Sequence, residues 1–192
     1  MRAIFWAVLF VMLAGAGSAQ SQGREIRIVT FGDSGPAGDG VKTSEAYPAV
    51  LQATLRARGI NAAVQNISTS GLKTSQGLER VDSIPAGTQI VITEFGSNDL
   101  RANVRTADMN ANMDAIVKKL RARNIEVIVM ATRGIDFSAI ASANGATFVP
   151  YPPTYRSYIQ STGRHLSAEG HRKAVEELII PAIMPILARV KP

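Results

Sequence analysis

The sequence contains no cysteine and only two histidines, His165 and His171, in 192 residues. The missing thiols exclude structural disulfides, cysteine-ligated zinc and a cysteine nucleophile. Two imidazoles are too few for a three-histidine zinc site within one chain, so no metal site is expected. Chemistry that needs an imidazole must use one of these two. No apolar run is long enough to span a bilayer comfortably; the longest, Ala3 to Ala14, has about a dozen residues. There is no Gly-Lys-[Ser/Thr], which excludes a Walker P-loop. What is present is an apolar fraction of 46%. That excludes a disordered or collagen-like chain and leaves enough material for one real core.

Arg2 precedes the apolar run, and Gly15, Ala16, Gly17, Ser18 and Ala19 follow it. Gly17 and Ala19 fit the small-x-small pattern of a signal-peptidase site, so residues 1–19 read as a cleaved secretory signal. No cysteine for lipid attachment follows, and the expected location is periplasmic or secreted. Residues 20–192 read as a single domain, without internal repeat or linker. The formal net charge of +6 falls by one once Arg2 is removed. Lys118, Lys119, Arg121 and Arg123 cluster on an expected helix and read as its solvated face, with an anionic lipid surface as a partner they could meet. No basic-aromatic interleaving or zinc-finger spacing occurs, so no nucleic-acid partner is expected.

Stretches rich in β-branched residues alternate with helical patterns. Glu25 to Phe31, Ala62 to Ile67, Gln89 to Phe95 and Ile125 to Ala131 read as strands, with a short fifth at Ala146 to Val149. Ala46, Tyr47, Val50, Leu51 and Leu55 recur at helical spacing, capped by Thr43 or Ser44 and stopped at Gly59. A short helix is expected near Ser75 to Val81. Thr106 is a candidate cap for a helix whose Met109, Met113, Ile116, Val117 and Leu120 form one apolar stripe, read as core. A last helix starts near Ser167, and Pro181 and Pro185 are expected to kink or break it. Near-continuous apolar strands separated by helices imply an α/β fold, a three-layer α/β/α sandwich on a mostly parallel five-stranded sheet. Ligands on such sheets bind at the carboxyl ends of the strands.

Four polar motifs fall in those loops. Phe31-Gly32-Asp33-Ser34 follows the first strand, Asn66-Ile67-Ser68-Thr69-Ser70-Gly71 the second, and Gly96-Ser97-Asn98-Asp99 the third. His165-Leu166-Ser167 precedes the last helix. Taken singly they are turn and capping residues. The Gly-rich loop from Gly32 to Gly40 lacks the third glycine of a dinucleotide fingerprint, and the second strand ends in Gln65 and Asn66 rather than an acid for a ribose. No organic cofactor is implied.

In the order Ser, Gly, Asn, His, the four motifs resemble those of the SGNH hydrolases, also called the GDSL family. The resemblance runs from Phe31 to about Leu187 and looks closest to the bacterial periplasmic arylesterases, lysophospholipases and acyl-CoA thioesterases. It implies a flavodoxin-like fold and a serine ester hydrolase acting through an acyl-enzyme on Ser34. His165 would be the general base and then the acid. The backbone N–H groups of Ser34 and Gly71 and the side-chain amide of Asn98 would form the oxyanion hole. Substrates would be a small acyl ester, a thioester or a lysophospholipid, with no metal and no cofactor.

The sequence departs from the family pattern twice. The family's acid three residues before the histidine is here Thr162, which cannot carry a charge to stabilise an imidazolium. Three explanations are open. A backbone carbonyl or a remote acid, Glu169 being nearest in sequence, orients His165; or the enzyme is slow or restricted to activated esters; or the chain is a catalytically degenerate module that binds acylated lipid or glycan. His171 is a fallback base. The second departure is Gly35 where the family often has Leu, followed by Pro36, which suggests a differently shaped loop after Ser34. The span from Thr132 to Arg164, with Tyr151, Tyr155 and Tyr158, is short for the subgroup and suggests an open cleft for short acyl chains or a partner protein.

Overall fold

The computed structural model describes residues 25–190. The expected signal segment lies outside the described residues. Five strands form one sheet: β1 (Ile26–Gly32), β2 (Ala62–Asn66), β3 (Ile90–Glu94), β4 (Glu126–Met130) and β5 (Thr147–Val149). Their order is β2-β1-β3-β4-β5, and every neighbouring pair is parallel. The sheet is thus wholly parallel, where a mostly parallel one was expected.

Side chains alternate across the strands and feed two cores. Val29, Phe31, Val91, Val127 and Val129 pack with Met109, Met113, Ile116 and Val117 on one face. Those last four lie on α5 (Thr106–Ala122). Ile28, Ile90, Ile92, Ile128 and Met130 pack on the other face. Their partners are Tyr47, Leu51 and Leu55 of α2 (Tyr47–Ala57) and the C-terminal helices. A strand buried on both faces has no polar alternation, which is why β1, β3 and β4 read as apolar runs, whereas the edge strand β2 ends in exposed Gln65 and Asn66.

Helix boundaries differ from expectation where capping was the guide. Thr43–Glu45 is a separate 3₁₀ turn, and α2 begins at Tyr47 with Pro48 in its first turn and no side-chain cap. Thr106 is the first residue of α5 rather than its cap. The last helix is not broken by its prolines. It runs as α7 (Ala168–Lys173), a π-helical segment (Ala174–Ile179) and α8 (Ile180–Leu187). The remaining helices are α1 (Ser34–Ala37), α3 (Thr74–Arg80), α4 (Ser97–Arg101) and α6 (Ser138–Ala143). The wider π turn sits directly before Pro181, so the hydrogen-bond register is already shifted where the proline N–H is missing. Pro185 stays inside α8, whose buried Ile180, Ile183 and Ile186 hold it against the sheet.

Candidate active site

Ser34 opens α1, the single turn that follows β1. The chain must pass very close to β3 to get there. A Cβ on Gly32 would stand 2.3 Å from the Glu94 carbonyl oxygen, so the position requires glycine. Asp33 N–H donates to that carbonyl at 3.1 Å. Asp33 then caps α1, accepting from the Gly35 N–H at 3.2 Å. His165 arrives from the other end of the chain on a tight hairpin. Gln160 N–H donates to His165 O at 2.8 Å, Ser167 N–H donates to Tyr158 O at 2.7 Å, and Ile159 bridges Leu166. The Gln160 amide ties this hairpin to the Gly-rich loop, donating to Asp39 O at 3.2 Å. As a result His165 Nε2 lies 2.9 Å from Ser34 Oγ.

The other two motifs are laced to the first through carboxylates. Asp33 Oδ2 accepts from Ser97 Oγ at 2.8 Å and from Asn98 Nδ2 at 3.1 Å. Asn98 Nδ2 also donates to Leu72 O at 2.9 Å, and Arg101 donates to Asn98 Oδ1 at 2.6 Å. Both amide protons of Asn98 are therefore engaged, and an oxyanion would have to draw one away from Leu72 or Asp33. Asp99, buried at the start of α4, accepts from Thr74 N–H at 2.9 Å and from Thr74 Oγ1 at 2.6 Å. This fixes α3, and with it the loop that carries Gly71. Among the described residues the N–H groups of Ser34 and Gly71 donate to nothing, so both are free for an incoming oxygen. Gly71 has φ +84°, and a Cβ there would meet nothing within 4 Å. The glycine is needed for its left-handed backbone, not for close approach.

Beside Ser34 and His165 a cavity of about 290 Å³ opens. Its walls include Tyr47, Glu94, Met130, Tyr155, His171 and Leu178, while Gly71 and Asn98 do not line it. Glu94 ends β3 and points to the same face as Ile90 and Ile92. Burial, reinforced by the nearby Asp33 charge, pushes its carboxyl up to about 8. Asp33 is also raised, by burial first, against the lowering effect of its bond to Ser97. The cavity gives the absent side chain of Gly35 a further reason. A Cβ there would stand 2.5 Å from Glu94 Oε1, so the missing side chain leaves room for a carboxyl. His171 is not a second base at Ser34. It is buried, its Nδ1 accepts from the Tyr47 N–H at 3.3 Å, and burial lowers it to about 4. A neutral ring that accepts at Nδ1 carries its proton on Nε2, and that nitrogen is buried without a partner. Among the described residues no group of three or more His, Asp or Glu could hold a metal ion.

Residues 30–173 match the GDSL-like Lipase/Acylhydrolase family. The chain belongs to that family. Esterase TesA of Pseudomonas aeruginosa is 25% identical over 97% of this chain and all of its own length. The crystal structure of TesA superimposes with a TM-score of 0.74 at 24% identity, over 83% of this chain and 99% of that one. AlinE4, an SGNH-hydrolase family esterase, is 32% identical over 90% of this chain and 100% of its own, with a TM-score of 0.65. The psychrotrophic esterase EstA from Pseudoalteromonas sp. shares the fold at 20% identity and a TM-score of 0.74, over 84% of this chain and 98% of that one. The protein is a GDSL-type carboxylic ester hydrolase of the TesA-like subgroup.

As a GDSL hydrolase it lacks one expected partner. Thr162 is exposed in the turn closed by Gly163 N–H to Gln160 O at 2.8 Å. Glu169 is exposed on the first turn of α7 and makes no bond to the imidazole. No backbone carbonyl takes its place. Among the described residues the ring's only hydrogen bond is the one to Ser34. Three polar residues escaped the sequence reading: Asp33 and Asp99 as ties between loops, and Glu94. The one signal for Glu94 was a charge at the end of an otherwise apolar strand, QIVITEF.

Proposed function

We propose that the chain hydrolyses esters through an acyl-enzyme on Ser34. The observation that carries this is the 2.9 Å contact between His165 Nε2 and Ser34 Oγ. The Ser34 oxygen attacks the acyl carbonyl as its proton passes to His165 Nε2. Negative charge gathers on the former carbonyl oxygen, where the free N–H groups of Ser34 and Gly71 receive it, joined by Asn98 if its amide swings from Leu72 or Asp33. Losing one such donor typically costs roughly 3–4 kcal/mol of barrier. His165 returns the proton to the departing alcohol or thiol, and water repeats the sequence to release the acid. The reading takes the substrate to be a small acyl ester, a thioester or a lysophospholipid, with short acyl chains preferred. It also takes the enzyme to be exported, on the strength of residues 1–19.

The basic cluster gives little support to a lipid-surface role. Lys118 pairs with Asp114, Lys119 with Asp82 and Arg121 with Glu126, while Arg123 donates to the carbonyls of Ile84 and Pro85. A second reading, a binding module for acylated lipid or glycan, draws on Thr162 and the unpartnered side of His165. Turnover of p-nitrophenyl acetate and butyrate separates the two. The esterase reading expects Ser34→Ala and His165→Ala to reduce the rate by three orders of magnitude or more, about as losing a triad member does elsewhere. Equal rates in wild type and Ser34→Ala would remove it.

A further inference from the structure

The wall of the cavity is mostly apolar, with Met130, Ile159, Leu166 and Leu178 in it, but it also holds the Glu94 carboxyl. Glu94 is deep in the fold and still only half-buried, because its carboxyl faces the cavity. Among the described residues no side chain or backbone group hydrogen-bonds that carboxyl. Two other polar groups of the wall, Tyr47 Oη and His171 Nε2, are buried without partners. Both residues are 2% exposed and both belong to the cavity wall. Unsatisfied buried polar groups are rare in native proteins, and each one costs stability unless something meets it. Two such groups in one wall, with an unbonded carboxyl facing the same cavity beside the reacting serine, indicate that something does.

We propose that Glu94 determines specificity by hydrogen-bonding an oxygen on the acyl half of the substrate, so that the enzyme favours short acyl groups bearing a carbonyl or similar acceptor over hydrocarbon groups of the same shape. This rests on the esterase reading of Ser34 and extends it. The acyl half is the relevant one on mechanistic grounds. It stays attached to Ser34 while the alcohol leaves, and an alcohol held at the inner end would be shut in behind the acyl group. Gly35 supplies the room, since any Cβ there would press on Glu94 Oε1. The carboxyl is held in its neutral form near pH 7, which makes it a donor toward an acceptor oxygen. The hydroxyl of Tyr47 and the N–H of His171 belong to the same wall as further donors.

The test uses two p-nitrophenyl esters of matched shape, the 4-oxopentanoate and the 4-methylpentanoate. Their kcat/KM values are each divided by the rate of hydroxide-catalysed hydrolysis. Wild type should prefer the ketone ester by about fivefold or more, the size expected of one hydrogen bond. Glu94→Leu should bring the ratio to about one, while Glu94→Gln, which keeps an N–H donor, should retain most of it. Thermal unfolding confirms that each variant is folded. Turnover of both esters with a wild-type ratio of one or less, or a ratio unmoved by Glu94→Leu, overturns the assignment alone. Failure of wild type to hydrolyse either ester, with no labelling of Ser34 by a fluorophosphonate, overturns the esterase reading and this assignment with it.

Discussion

Ser34 and His165 are two members of a triad, and the unpartnered side of the imidazole is the residue-level question. A serine hydrolase gains its rate from a base that is both held in place and able to bear a positive charge. Here the hydrogen bond to Ser34 aligns one nitrogen, and no carboxylate stands at the other. Removing that acid from a serine protease costs about four orders of magnitude in kcat. Thr162→Asp should therefore raise kcat on p-nitrophenyl butyrate by roughly ten- to a hundredfold, a fraction of that cost because the turn is exposed and solvent screens the new charge. An unchanged kcat would mean that the ring is already adequately held. The pairing of Ser34 with His165 was legible in the sequence because both sit in short motifs tied to element ends. The bonds of Asp33 were not, since an Asp before a Ser looks the same whether it only caps a turn or also ties its loop to the one after β3. Nor was the role of His171, whose fate depends on a backbone N–H that is 124 positions away in the chain.

Asp99 shows what holds the elements in register. It sits on α4 and accepts two hydrogen bonds from Thr74 at the start of α3, all within the buried interior. Asp99→Ala would leave a buried N–H and a buried hydroxyl without their acceptor, a loss of about 2–4 kcal/mol. The melting temperature should fall accordingly, and kcat should fall with it as the Gly71 loop loses its anchor. A variant with full kcat and a lowered melting temperature would show that the tie serves stability alone. The central strands β1, β3 and β4 were legible because burial on both faces writes a nearly continuous β-branched run. Their caps were less so. Thr43, Ser44 and Thr106 are good capping residues that the chain does not use, because Pro48 starts α2 and an Arg105–Asp108 pair secures the start of α5. The behaviour of the C-terminal helix was also hidden. A proline signals a missing N–H, but whether the helix breaks or widens into a π turn is decided by what its apolar face packs against.

At the scale of the whole molecule, the buried acids and the buried imidazole should shape stability against pH. His171 has a folded-state value of about 4, below its ordinary 6.5. Its contribution is complete above pH 6.5 and is lost as pH falls toward 4, because the unfolded chain takes up the proton first. The size is on the order of 3 kcal/mol. Glu94 behaves in the opposite sense. Its value of about 8 exceeds the ordinary 4.5, so its contribution is complete below pH 4.5 and is lost as pH rises through 8. Asp33, also raised, adds a loss of the same sign that begins as pH rises above its ordinary 3.8. Urea unfolding should thus give greatest stability on the weakly acidic side of neutrality. Glu94→Gln should be more stable than wild type at pH 8 and no more stable at pH 4. A wild-type stability that rises steadily from pH 5 to 8 would contradict this account of the buried carboxyl. The central claim, however, concerns the rim where the four loops meet. Mass spectrometry of the protein after exposure to a fluorophosphonate tests it without any choice of substrate. The account predicts one phosphonyl adduct on Ser34, none in Ser34→Ala and slowed formation in His165→Ala. Recovery of unmodified protein after prolonged exposure, or an adduct elsewhere, would contradict it.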